Sequence, residues 1–234
     1  MSRKLIIAID GPAGAGKSTI AQRVAQALGY MNLETGAMYR AFGLKAIEHG
    51  VRLDAEDELM RLAAGTRIEL EPAESGNRVL LDGGDVSARI RQSDVSDAAS
   101  RVSVHPRVRV WLVDQQRALG KGGGVVMEGR DIGTAVFPHA EVKVFLEASP
   151  EVRAVRRVLQ EGGSADDLAR IAAIAEEIRQ RDRRDRSRAA SPLVPAPDAV
   201  TLDSSHLTID QVVAQVLQLV EERLRDMSVP ARME

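Results

Sequence analysis

The fold is decided by Gly11-Pro12-Ala13-Gly14-Ala15-Gly16-Lys17-Ser18. This stretch satisfies G-x-x-x-x-G-K-[ST], a glycine loop whose backbone N–H groups cradle phosphates. Just before it, Leu5 to Ile9 is a short apolar run of the kind a buried strand shows. Just after it, Ile20, Val24, Ala27 and Leu28 recur at helical spacing within Thr19 to Leu28. Glycines let the backbone turn tightly, so that successive N–H groups point inward. The helix that follows brings its positive end to the same place. Gly11 to Thr19 is therefore predicted to hold a nucleoside triphosphate. Lys17, expected in a solvated loop, would reach the β- and γ-phosphates, and the Ser18 hydroxyl would ligate Mg²⁺.

Working outward, strands and helices alternate. Met31 to Leu33 reads as a second strand. Glu34-Thr35-Gly36 reads as a turn with Thr35 as helix N-cap. Ala37 to Glu48 and Glu56 to Ala64 read as helices. Residues 65–92 differ: Thr66 to Glu71 alternates, Glu74 to Asn77 is a turn signal, Arg78 to Leu81 is a second strand, and Asp82-Gly83-Gly84 turns again. They are predicted to form a small antiparallel insert in a parallel α/β core made of residues 1–64 and 93–234.

Helical spacing resumes from Val95 to Val104 and from Pro106 to Leu119. Val125 to Glu128 and Val142 to Leu146 read as strands buried on both faces. Pro150 to Leu159 and the charged Asp166 to Arg188 read as helices. Val200 to Leu202 reads as a last strand, Thr208 to Arg225 as an amphipathic helix, and residues 227–234 as a frayed tail. Repeated β–α units imply a parallel sheet with helices on both faces, and ligands beyond the carboxyl ends of its strands.

Composition excludes several function classes. The 234 residues include no cysteine, so disulfides and thiolate zinc sites are ruled out. The four histidines show no metal-ligand spacing. No apolar run approaches the roughly 20 residues of a membrane span, and the chain reads as soluble and cytoplasmic. The net charge of −2 offers no global field for nucleic acid. Aromatic content of 3% is too thin for base-stacking platforms. The Asn-Lys-x-Asp guanine reader of GTPase switches is absent.

Four polar clusters lie outside the glycine loop: Thr35 to Arg40, Glu128-Gly129-Arg130-Asp131, the helical trio Arg153, Arg156 and Arg157, and the charged run Arg181 to Arg188. Guanidinium forks suit phosphate recognition. Ile9 to Ser18, Thr35 to Arg40, Asp85-Val86-Ser87 followed by Ile90-Arg91, Pro106 to Arg109, Gly129 to Thr134, and Arg181 to Arg188 followed by Pro192-Leu193 resemble, in order, stretches of the bacterial cytidylate kinases, a family of nucleoside monophosphate kinases.

The resemblance, running from about residue 5 to about residue 225, implies an adenylate-kinase-like P-loop core with a five-stranded parallel sheet flanked by helices. It also implies a nucleotide-binding insert at residues 65–92, a mobile helical lid at 151–167, a monomer, and transfer of the γ-phosphoryl of ATP to CMP or dCMP. Another acceptor, such as UMP, is the alternative. Lys17 would hold ATP. Arg40 and Arg130 would hold the acceptor phosphate, and Arg153, Arg156 and Arg157 are the candidates from which the group that closes over the transferring phosphoryl would come. Cytosine offers an amino donor at N4 and an acceptor at N3. Asp131, helped by Thr35, can meet the first and Arg109 the second. The resemblance further assigns Ser100, Arg181 and Asp185 to the sugar, and Arg188 nearer the phosphate.

Overall fold

The structure is a computed structural model that describes residues 4–73 and 76–228. Five strands form the main sheet: β1 (Ile6–Asp10), β2 (Met31–Glu34), β6 (Val125–Gly129), β7 (Val142–Glu147) and β8 (Val200–Asp203). Their order is β2-β6-β1-β7-β8, and every pairing is parallel. The near-continuous apolar runs of β1, β6 and β7 follow from burial on both faces. Ile7, Ile9, Val126 and Val144 meet Ile20 and Val24 of α1 (Lys17–Leu28) and Val212 and Val216 of α8 (Ile209–Ser228). The alternate residues Ala8, Val125 and Met127 face Val113 of α5 (Pro106–Gly120) and the turn that follows β6.

The insert is a three-stranded antiparallel sheet of β3 (Ile68–Ala73), β4 (Gly76–Leu81) and β5 (Gly84–Asp85). One face is apolar. Ile68, Val79 and Leu81 share a core with Met38 and Phe42 of α2 (Thr35–Glu48), Leu59 of α3 (Glu56–Ala63), Val95 of α4 (Ser93–Val102), and Leu112 of α5. The insert is thus welded to the helical layer beside β2. A second appendage, the hairpin of α6 (Pro150–Gln160) and α7 (Leu168–Ser187), has its own apolar seam of Ala154, Val158, Ile171, Ile174 and Ile178.

Several local expectations need correction. Gly76 and Asn77 belong to a strand rather than a turn, because the β3–β4 ladder runs from Ile68↔Leu81 to Ala73↔Gly76. Pairing over six positions overrides the turn preference of Gly and Asn. Gly84 opens β5, a third strand absent from the sequence reading. Thr35 is the first helical residue and caps nothing, since its hydroxyl donates to Glu128 O at 2.8 Å. Met227 and Ser228 are helical. The Glu74-Ser75 half of the expected turn and the tail from 229 lie outside the described residues.

Candidate active site

All five parallel strands deliver their carboxyl ends to one cleft. Asp10 leads into the glycine loop, Glu34 into Thr35, Gly129 into Arg130 and Asp131, Glu147 into α6, and Asp203 into Ser204. The cleft encloses about 720 Å³. Eleven basic side chains line it against seven acidic ones, so its unbalanced charge calls for anions.

At one end stands the glycine loop. Gly11 has φ +146°, and a Cβ there would lie 2.0 Å from Leu146 O, so only glycine fits. Lys17 is only 5% exposed, contrary to the solvated position expected, because the loop wraps the side chain. Its Nζ donates to Pro12 O at 2.7 Å and lies 4.0 Å from Glu128 Oε2. Burial, with Arg130 nearby, pulls the ammonium pKa down. Burial pushes the Glu128 carboxyl up against the opposing pull of Lys17. Ser18 Oγ donates to Glu128 Oε1 at 3.0 Å. A hydroxyl and a carboxylate side by side make a pair of hard oxygen donors, the chemistry Mg²⁺ takes when substrate phosphates supply its other ligands.

The α6 arginines brace this end. Arg153 is buried. It donates to Ala13 O and Ala148 O at 2.9 Å each and pairs with Asp182 at 2.5 Å. Arg156 donates to Ser204 O at 2.6 Å, and Ser204 Oγ donates to Ala15 O at 3.3 Å. Arg157 stands at the rim, paired with Glu161 at 3.1 Å and Glu177 at 3.4 Å. All three reach the cleft wall, but the first two are committed to the backbone of the loop and its surroundings.

At the other end the polar groups come from scattered segments. Arg109 and Asp131 form a buried pair at 2.5 Å, with the guanidinium 5.4 Å over the Tyr39 ring. Arg130 Nε lies 3.3 Å from Asp185 Oδ2, and Arg188 Nη1 lies 3.6 Å from Asp185 Oδ1. Arg40 pairs with Glu34. Arg181 has no carboxylate within ion-pair distance among the described residues. Burial first, then the Arg130 charge, lowers its pKa to about 10. Ser100 Oγ and the Nε atoms of Arg40, Arg109, Arg181 and Arg188 are buried without a hydrogen-bond partner. Unsatisfied buried groups of this kind, gathered in one cleft, fit a polar ligand.

The two ends are tied together by Asp10. Its carboxylate oxygens accept from the N–H groups of Ile132 and Gly133, each at 2.7 Å, where a π-helical turn (Ile132–Val136) follows Asp131. Burial drives this carboxyl up to about 7.

The family profile described as cytidylate kinase matches residues 7–222. The chain belongs to the cytidylate kinase family. A cytidylate kinase of Geobacillus kaustophilus is 49% identical over 226 residues, covering 96% of this chain and all of the relative. One of Pelotomaculum thermopropionicum is 51% identical over 221 residues, covering 94% and 97%. Among solved structures, a shikimate kinase from Acinetobacter baumannii in complex with shikimate covers 94% of both chains at 14% identity, with a TM-score of 0.46, too distant to carry an inference.

For this member of the cytidylate kinase family, the cleft gathers Ala13, Gly14, Gly16 to Thr19, Thr35, Arg40, Ser100, Arg109, Arg130, Asp131, the three α6 arginines, Arg181, Asp185 and Arg188. Gly11, Pro12 and Ala15 are buried behind it and shape the loop without lining the cleft. Sequence reasoning missed Glu128 as the partner of Ser18, Asp10 as the brace, Asp182 as the anchor of Arg153, and Tyr39 under Arg109. Only Glu128 carried a signal, an acid closing an apolar strand.

Proposed function

We infer that this enzyme transfers the γ-phosphoryl group of ATP to CMP or dCMP, giving ADP and the nucleoside diphosphate. The observation that carries the reading is a single cleft with a triphosphate loop at one end and a buried, partly unsatisfied arginine cluster at the other. The acceptor is already an anionic phosphate oxygen, so no general base is required. Catalysis is positioning plus charge stabilisation along the line between two phosphates.

Lys17 and the loop N–H groups hold the triphosphate. Ser18 and Glu128 are assigned to Mg²⁺, which when bound neutralises charge on the β- and γ-oxygens. Arg40 and Arg130 hold the acceptor phosphate, with Arg188 near it. Ser100, Arg181 and Asp185 face the sugar. Residues 65–92 form the acceptor-side insert. Residues 151–167, within the α6–α7 hairpin, form the lid that excludes water from the reaction. Arg157, held only by exposed ion pairs at the rim, is the lid arginine assigned to the transferring group, while Arg153 and Arg156 hold the loop beneath it. We assign the enzyme to the cytoplasm, acting as a monomer.

The base is read by polarity. The Thr35 proton is spent on Glu128 O, which leaves only lone pairs to face a ligand. One Asp131 oxygen is held by Arg109 and the other accepts. An amino group at N4 satisfies both residues, whereas the O4 of uracil would oppose them with no proton between. A mismatch of that type can discriminate by about 10⁴.

An assay of ADP release against CMP, dCMP, UMP, AMP and GMP tests the reading. CMP and dCMP should stimulate turnover far above the others. If CMP adds nothing to background ATP hydrolysis while another monophosphate does, the acceptor assignment is wrong.

A further inference from the structure

The strand β2 lies at the edge of the main sheet, so the outward N–H and C=O groups of Asn32 and Glu34 have no strand to pair with. They are not left open. The Asn77 side chain, reaching across from β4 of the insert, accepts from Glu34 N–H at 3.0 Å through Oδ1 and donates to Asn32 O at 2.9 Å through Nδ2. A parallel neighbour would bond the C=O of one residue and the N–H two residues on, and a side-chain amide carries the same donor and acceptor as a peptide group. Asn77 thus stands in for one residue of a sixth strand. It is itself buried, at 7% exposure, so both bonds are shielded from competing water.

What it fixes matters for the reaction. Glu34 is the last residue of β2, and its carboxylate pairs with Arg40, six residues further on in α2. Arg40 also has a buried Nε without a partner. The insert is clamped a second time at its root, where Lys45 Nζ of α2 meets Asp82 Oδ2 at 2.7 Å and Gly65 O at 2.8 Å. With the root held there, the Asn77 amide is the polar contact that sets the far part of the insert against the strand leading into Arg40.

We propose that Asn77 is a positioning residue for the acceptor phosphate: it fixes the end of β2, and through Glu34 it aims the Arg40 guanidinium. This rests on the assignment of Arg40 to that phosphate. Asn77 touches no substrate. Its effect runs through the backbone N–H of Glu34, then the Glu34 carboxylate, then Arg40. It makes the insert a brace for the acceptor subsite, while the glycine loop, which follows β1 two strands away, keeps the internal contacts that hold it.

The test is a double-mutant cycle with steady-state kinetics on the full chain. N77L removes both hydrogen bonds and keeps the branched shape in a larger, apolar side chain. N77D keeps the acceptor for Glu34 N–H and sets a carboxylate against Asn32 O. N77L should raise the KM for CMP about tenfold, as a small misplacement of a phosphate-holding group does, with the KM for ATP changed less than about twofold. N77D should show the same pattern more weakly. In an R40A background, N77L should add less than about twofold to the KM for CMP, because the group it aims is gone.

The proposal fails if N77L leaves the KM for CMP unchanged, raises both KM values alike, or acts as strongly in the R40A background as in the wild type. If R40A alone leaves the KM for CMP unchanged, the acceptor role of Arg40 is wrong and the route proposed for Asn77 falls with it. Should N77L prove insoluble, the same cycle run with N77D decides the question by the same criteria.

Discussion

The two ends of the cleft are built in opposite ways. At the glycine loop the polar side chains already have partners inside the protein: Lys17 on Pro12 O, Ser18 on Glu128, Arg153 on Ala13 O and Asp182. At the acceptor end, Ser100 and four arginine Nε atoms are buried with none. The loop is a finished object held by its own contacts, whereas the acceptor subsite is completed by what enters it. The energetic consequence follows. Mutating the loop end removes charge from a rigid frame and strikes chemistry. Mutating the unpartnered groups of the acceptor end removes ligand contacts and strikes binding and selectivity, with less damage to the fold than breaking its buried Arg109–Asp131 pair would do.

The most severe test of that contrast is Lys17→Ala. The ammonium is the charge closest to the transferring group in this reading, and loss of a preorganised charge of that kind costs about a thousandfold in kcat or more. The secondary structure by circular dichroism should stay as in wild type. A variant retaining near-normal turnover would end the assignment of the triphosphate to this loop.

Arg130→Ala comes next, at the junction of the two ends. A lost charge-assisted phosphate contact is worth roughly 2–4 kcal/mol, or about 30- to 900-fold in kcat/KM. Arg78→Ala is the control. Arg78 pairs with Glu71 and Asp85 on the exposed face of the insert, and a surface ion pair of this kind contributes at most about 1 kcal/mol. Equal losses of kcat/KM at the two positions would make Arg130 structural.

Asp131→Asn probes the acceptor end alone. The amide offers a donor as well as an acceptor, so the preference for CMP over UMP should narrow. It should do so through loss of CMP activity of about a hundredfold, the scale of a charged hydrogen bond worth roughly 1.5–3 kcal/mol. The structure shows Asp131 bound to Arg109 and leaves Arg130 to Asp185. If both activities fell by one factor with the ratio unchanged, Asp131 would be orienting Arg109 without reading the base.

The same contrast explains what the sequence revealed. The glycine loop is contiguous, and local spacing dictates its geometry, so Gly11 to Ser18 could be read together with its flanking strand and helix. The buried strands β6 and β7 were equally legible, because burial on both faces leaves an unbroken apolar run. The acceptor end is assembled from α2, α4, α5, the turn after β6 and the end of α7, and no spacing rule links Ser100 to Asp185. Only resemblance to a family joined them. The partners Asp10 with Ile132 and Gly133, Arg153 with Asp182, and Asn77 with β2 are tertiary contacts between segments 29 to 123 residues apart. Asn77 was hidden for a further reason: beside Gly76 it has the composition of a turn, and strand pairing overrode that preference.

The mildest test is Ser100→Ala, and it separates the two ends most cleanly. A buried hydroxyl normally has a partner, and removing one that is bonded inside the protein lowers stability. The Ser100 hydroxyl has no hydrogen-bond partner within the protein. Removing it therefore breaks no internal bond and relieves an unsatisfied group, so the melting temperature should hold or rise slightly. If the hydroxyl is kept for the sugar of the acceptor, the variant loses one neutral hydrogen bond on binding, about 1 kcal/mol, and the KM for CMP rises about fivefold. Its kcat and its KM for ATP should stay near wild type, because the hydroxyl lies at the acceptor end and carries no charge to the transferring group. A lower melting temperature with an unchanged KM for CMP would mean that Ser100 supports the fold, and the division into a finished loop and a subsite completed by its ligand would lose its sharpest example.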